Sequence, residues 1–308
     1  MNSIIIHAAP LQGVTDCVWR NAHARIFGGI DYYHAPFMRI EHGECRPRDL
    51  RDIAPQNNTA PLVPQILGCK PEEALIMART IQELGYRHIE INLGCPHPPV
   101  ALKHKGSGLL AYPSELEQMC KCLGALSGIT FSVKMRLGWD NDQQWRDALC
   151  AIAPLRPLHI VVHPRIGRQQ YKGELLMTQW EHLLAESPYP VIYNGDITSR
   201  NQIDELIDRC PSIKGVMIGR GLVSSPSILS KRNCVPSDYI VFHKELLDGY
   251  SERLSGGEHQ LLTHMKTLWT YFLQDADRRL LKPIIKSRNL TQYSEACQHL
   301  FMRHFSQV

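Results

Sequence analysis

Short apolar runs, set apart by polar stretches rich in proline and glycine, recur through the first two thirds of the chain. Ile4 to Ala8, Tyr32 to Ala35, Leu62 to Leu67, His88 to Asn92, Thr130 to Arg136, His159 to His163, Val191 to Asn194 and Gly215 to Ile218 each read as a strand. Helical patterns alternate with them. One follows Thr15 or Asp16, either of which can cap it, and runs through Arg25. Others are Pro71 to Leu84 with proline in the first turn, Ser114 to Leu126 with Ser114 as cap, Gln143 to Ile152, and Asn201 to Arg209. Glu41 to Asn58 is polar and proline-bearing and reads as an inserted surface loop with little regular structure.

Eight strands alternating with mostly helical segments predict an α/β fold, a (β/α)8 barrel. An open doubly wound sheet is the alternative, but the first strand–helix turn lacks a Gly-x-Gly-x-x-Gly fingerprint. Lys231 to Asp238 reads as a linker. Beyond it the strand patterns stop, and Tyr239 to Leu254, Glu258 to Ala276 and Thr291 to Phe305 are amphipathic. The expected division is a barrel over 1–235 and a smaller helical C-terminal domain over 236–308.

Composition narrows the class. With 44% hydrophobic and 21% charged residues, the 308-residue chain is an ordinary globular protein with room for a large core. A net charge of +4 means that any nucleic-acid footprint is local. The ten cysteines follow no disulfide or zinc rhythm, so reduced thiols and a cytoplasmic location are expected. The N-terminal residues carry no basic leader, and no apolar run reaches the ~18 residues of a membrane span. Neither a membrane nor a metal is expected as a partner, and a monomer is expected.

The chemistry gathers at strand ends. Ile89-Glu90-Ile91-Asn92-Leu93-Gly94-Cys95-Pro96 places one thiol just past the fourth strand. A lone cysteine there can be a nucleophile, an acid, a metal ligand or a core filler, and without a second cysteine nearby zinc is disfavoured. On a barrel the carboxyl ends of the strands form one face. Gln65, Asn92, Lys134, Arg136, His163, Asn194-Gly195-Asp196 and Gly219-Arg220-Gly221 would share it with Cys95. Barrels often bind phosphate between the last two strand–helix loops, where Gly195, Gly219 and Gly221 would admit close approach and Arg220 would add charge. Lys134 asks for an anionic partner, and Gln65 offers a donor and an acceptor to a pyrimidine edge. The constellation suggests flavin mononucleotide across the barrel mouth.

Several pieces together resemble the flavin-dependent tRNA-dihydrouridine synthases. They are Ala9-Pro10-Leu11-Gln12-Gly13-Val14-Thr15-Asp16, Pro64-Gln65-Ile66-Leu67-Gly68, Ile91-Asn92-Leu93-Gly94-Cys95-Pro96 and Gly106-Ser107-Gly108-Leu109-Leu110. The run continues with Val133-Lys134-Met135-Arg136-Leu137-Gly138-Trp139-Asp140, Asn194-Gly195-Asp196-Ile197 and Val216-Met217-Ile218-Gly219-Arg220-Gly221, and His264 to Trp269 extends it into the tail. The resemblance implies reduction of the C5–C6 double bond of uridine in tRNA, with FMN reduced by NADPH. It implies Cys95 as the acid at C5. FMN would be held by Pro10, Gln65, Lys134, His163, Asn194, Gly195, Asp196, Gly219 and Arg220. The chain departs from the family pattern at Leu11, Glu90, His97-Pro98-Pro99, Ala101, Ile166 and Gly167.

RNA would be met by Asn92, Lys103, Arg136, Arg165, Arg168 and Lys172 near the mouth, and by Arg279, Lys282 and Lys286 in the tail. From Thr263 to Val308 seven Lys/Arg stand against three Asp/Glu, a local +4. Two other readings are a barrel flavin oxidoreductase acting on a small pyrimidine and a catalytically silent RNA-binding relative.

Overall fold

The computed structural model describes residues 4–305; residues 1–3 and 306–308, the outer ends of the two expected domains, lie outside that range. Its centre is a parallel barrel of eight strands. They are β1 Ile5–Ala8, β2 Tyr32–His34, β3 in two pieces at Leu62–Val63 and Gln65–Leu67, β4 His88–Leu93, β5 Thr130–Gly138, β6 Ile160–Ile166, β7 Val191–Tyr193 and β8 Gly215–Ile218. The expected third strand is thus divided. Pro64 cannot donate to a ladder, so the chain bends there. The first piece pairs with β2, and the second with β4. A bridge between Met38 and Ile66 helps to close the cylinder at that point. β8 returns to β1, with Ala8 opposite Ile218.

Alternation sorts the strand residues into two faces. Ile89, Ile91 and Leu93 of β4, Phe131, Val133 and Met135 of β5, and Ile160 and Val162 of β6 join the large core shared with the surrounding helices. The interior positions are unusual. One side of the cylinder is filled by Ala9, Val161, Ile192 and Met217. The other side is polar: His7, His34, Gln65, Glu90, Asn92 and Ser132 are all buried. Bulky branched residues normally fill a barrel interior.

Helices cover the outside, and the C-terminal helices Pro236–Arg253, Gly257–Leu268, Arg278–Lys286 and Leu290–Phe305 pack against one flank. Phe242 meets the barrel's first helix, Cys17–Ile26, with its ring centroid 5.3 Å from Phe27 and 6.3 Å from Trp19. Asp16 caps that first helix, accepting from the Trp19 amide, and also accepts from the Tyr250 hydroxyl at 2.8 Å.

Several expectations are corrected. Glu41–Asn58 is not irregular: it contains part of a hairpin (Ile40–Glu41 with Glu44–Cys45) and a helix, Pro47–Ile53. Its Asp52 turns inward to accept from the Cys17 amide and from Arg20, which explains so polar a stretch holding regular structure. Ser114 does not cap its helix, which begins one residue earlier at Pro113. The pattern read as Glu258 to Ala276 ends as a helix at Leu268, and the chain then turns to bring Leu273 against the Ser224 carbonyl. A helix at Met177–Glu186, which the sequence pattern does not predict, completes the β6–β7 connection.

Candidate active site

A cleft of about 820 Å³ opens at the carboxyl ends of the strands. Its lining includes Pro10, Asn92, Cys95, Lys134, Arg136, His163, Asn194, Gly195, Asp196, Gly219 and Arg220, so most of the expected circuit comes together. Phe37, Thr270, Tyr271 and Gln274 line it too, and sequence reasoning missed them. The last three come from the tail beyond Leu268, where a pattern that reads as continuous helix gives no hint of a wall.

Cys95 is held from two sides. Asn92 Oδ1 accepts from the Gly94 and Cys95 amides at 3.0 and 2.9 Å. The Ser107 amide and hydroxyl donate to the Cys95 carbonyl at 3.1 and 2.8 Å. Gly106 makes this closeness possible. Its φ of +56° is left-handed, and a Cβ there would sit 3.0 Å from that of Cys95. Gly167, a departure from the family pattern, has a related cause: a side chain would strike the Trp139 ring and Ser107 Oγ. Burial pushes the half-buried Cys95 thiol above its ordinary value, so it is protonated at neutral pH.

Three residues expected to meet RNA hydrogen-bond to the protein itself, although Asn92 and Arg136 also line the cleft. Asn92 spends its side chain on the Cys95 turn and on Gln65. Arg136, 1% exposed, donates to the Gly94, Ile166 and Gln170 carbonyls and so ties three loops together. Arg165, 4% exposed, forks onto Asp196 and donates to the Gly173 carbonyl. Gln65 has protein partners on both sides. It is fully buried beneath the cleft, donating to Glu90 and accepting from Asn92.

The cationic side of the cleft is better exposed. Lys134 makes no hydrogen bond or ion pair to any described residue, although burial lowers its pKa to about 8, an effect that Glu90 partly offsets. Arg220 bonds Asp196 and lies over Tyr171, 4.6 Å from the ring centroid. Asp196 sits at φ +33°, a conformation aspartate tolerates better than most residues. His163 is pushed well below the usual imidazole value, by burial first and then by Arg136 and Lys134, and is neutral. Gly221 is required by packing rather than by a ligand: a Cβ would meet the Ile197 carbonyl. Lys103, Arg168 and Lys172 are exposed, with Arg168 beside Asp140.

The family model for dihydrouridine synthase (Dus) matches residues 7–295. The chain belongs to the dihydrouridine synthase family. It is 30% identical over 261 residues to the "Probable tRNA-dihydrouridine synthase 2" of Bacillus subtilis, covering 79% of this chain and 78% of that one. It is also 30% identical over 252 residues to the "Probable tRNA-dihydrouridine synthase" of Staphylococcus aureus strain COL, covering 78% and 73%. Among the described residues no group of side chains is arranged to hold a metal ion, and no helix is long and apolar enough to cross a membrane.

Proposed function

We propose that this family member is an FMN- and NADPH-dependent tRNA-dihydrouridine synthase in which Cys95 is the acid. The observation that carries the reading is Lys134. An ammonium group that lines a cleft and makes no hydrogen bond or ion pair to a described residue suits an electron-rich ligand. Arg220 and the Asn194–Asp196 turn supply a second polar end, suited to a phosphate. This donor set fits a flat, anionic nucleotide such as FMN, with Pro10, Lys134, His163, Asn194, Gly219 and Arg220 as its neighbours. When bound, FMN would supply hydride to C6 of the uracil, having been reduced by NADPH.

The protein's own tasks are to bind, to orient and to hold one proton. A target uridine must leave its stack to reach the cleft, at a cost of a few kcal/mol. Tyr171, 54% exposed with the Arg136 and Arg220 guanidiniums over its ring, adds aromatic and cationic surface for an extruded base. Cys95, protonated and fixed by Asn92 and Ser107, holds the proton for C5. Arg168, Lys172 and Lys103 at the mouth, and the basic tail helix, would carry the phosphate contacts that offset extrusion.

Two measurements test the reading. The purified protein should show a flavin absorbance band, and tRNA from cells lacking the gene should lose dihydrouridine at one or more positions. A colourless protein that takes up no added FMN, or unchanged dihydrouridine, would overturn it.

A further inference from the structure

The chain just beyond Leu268 builds one wall of the cleft from uncharged side chains. Trp269, Phe272, Leu273 and Ala276 are buried, while Thr270, Tyr271 and Gln274 between them line the cleft. The buried set anchors the turn. The Trp269 indole donates to the Tyr293 hydroxyl at 2.8 Å, and the Phe272 ring centroid lies 5.9 Å from that of Phe242. The Leu273 amide donates to the Ser224 carbonyl at 3.0 Å. Leu273 stands at φ +49°, a left-handed conformation that disfavours leucine and that these contacts hold in place.

The polar atoms of the wall divide into those that are spent and those that are free. The Thr270 hydroxyl donates to the Thr267 carbonyl at 2.7 Å. Gln274 Nε2 donates to the Trp269 carbonyl at 2.9 Å. A carbonyl only accepts, so the amide nitrogen must face Trp269, and Gln274 Oε1 has no partner among the described residues. Tyr271 packs its ring against the core, and its hydroxyl bonds no described residue. The wall therefore offers the cleft an accepting oxygen and a hydroxyl, and no charge.

This wall stands across the mouth from the thiol. Ser224 closes the short helix Arg220–Ser224 that follows β8, Cys95 follows β4, and the strand order puts β4 and β8 on opposite sides of the ring. A uracil with C5 at Cys95 turns C2 to the opposite side, and with it the N3–H group and the N1 that carries the ribose. We propose that Tyr271 and Gln274 are substrate-binding residues that hold the target uridine by its N3 and ribose side while Cys95 meets C5. Gln274 Oε1 accepts a hydrogen bond from that side, and the Tyr271 hydroxyl donates or accepts one. The inference rests on the tRNA reading above. It gives the tail a part in the chemical step, separate from the charged surfaces that dock the RNA.

The test compares the wild-type holoenzyme with Tyr271→Phe and Gln274→Leu, using tRNA from cells lacking the gene. With the flavin reduced beforehand and tRNA saturating, single-turnover uridine reduction should slow about tenfold in each variant, the effect of losing one ordinary hydrogen bond. Flavin content should not change. The Kd for tRNA and its salt slope should also hold, because neither residue carries a charge to set against a phosphate. Unchanged turnover in both variants would overturn the proposal and leave the wall as scaffold. A weaker Kd with turnover at saturation intact would overturn it too, since the wall would then serve docking alone. Loss of FMN from the variants would reassign the wall to the cofactor. Gln274→Leu also breaks the bond to Trp269, so hydrogen exchange at the Leu273 amide should confirm that the turn stays anchored on Ser224. If it loosens, Tyr271→Phe, which keeps the ring, decides. A wild type that reduces no uridine in this tRNA would sink the proposed function, whereas an active wild type with unaffected variants would sink this inference alone.

Discussion

Arg165 forks onto Asp196, Nη1 to Oδ1 at 3.1 Å and Nη2 to Oδ2 at 2.6 Å. The same carboxylate takes Arg220 Nη2 at 2.6 Å on its other side. One acid on the β7 loop therefore anchors a buried guanidinium from β6 and a half-exposed one after β8. The two differ in what they have left to give: Arg220 faces the cleft, while Arg165 is spent inside.

Asp196→Asn should destabilise the fold, because it leaves the Arg165 charge buried and half-paired. We expect a loss of about 2 kcal/mol, below the figure for fully buried pairs because the Asp196 side chain is 37% exposed. A lower denaturant midpoint at unchanged slope checks it. The hydrogen bond from Arg165 first, and Arg220 after it, hold the Asp196 carboxyl below its ordinary range. Its contribution is therefore complete above an unfolded value of about 3.9 and fades as pH falls through the lower folded value. The gap between wild type and Asp196→Asn should narrow on acidification.

Cys95→Ala should separate the two halves of the reaction. NADPH oxidation should continue near the wild-type rate, while uridine reduction falls by roughly a hundredfold or more. Because burial raises the thiol's pKa, uridine reduction by the wild type should hold steady from neutral pH and decline only at alkaline pH. Parallel loss of both half-reactions would mean that the thiol shapes the cleft rather than donating a proton.

The barrel was legible because its strands are short, apolar and evenly spaced. Most of the mouth was legible because strand-end polar residues share one face. What could not be read was direction. Gln65, Asn92, Arg136 and Arg165 sit at strand ends like true ligands, yet their hydrogen bonds run down or sideways into the protein. Periodicity tells which face of a strand a residue takes, and says nothing of whether its partner is a ligand or another loop. Residues 41–58 misled for a different reason. Their charge suggested solvent, but Asp49 and Asp52 are buried, and Asp52 is paired with Arg20, thirty-two residues distant. Such long-range pairing leaves no local trace.

Phe242→Ala tests whether the helical tail stands on the barrel or merely beside it. Phe242 is 0% exposed between Trp19 of the barrel's first helix, Phe27 at that helix's C-cap and Phe272 of the tail. Removing the ring should cost about 3–5 kcal/mol. Since one continuous core includes all four rings, unfolding should remain a single transition at lower temperature. A split into two transitions in the variant would show that each part has its own cooperative core.

The tail helix Arg278–Lys286 continues through Pro283, so Arg279, Lys282 and Lys286 stand on one helix, all of them exposed. Arg279 is paired with Asp277, whose side chain also caps the helix, so part of its charge is already met. Lys282 has no ion pair among the described residues, and Lys286 borders a shallow hollow with Gln292 and Glu295. Charge reversal at all three should weaken tRNA binding. For each RNA phosphate that the variant no longer neutralises, the log–log salt slope should fall by roughly 0.7–0.9. Arg279 should contribute least, because binding RNA means giving up Asp277. Flavin content and NADPH oxidation should not change, since none of the three lines the cleft. Binding measured from low to moderate salt decides the matter. An unchanged slope would assign the grip to Lys103, Arg168 and Lys172 beside the mouth, and reversal of those three should then flatten it.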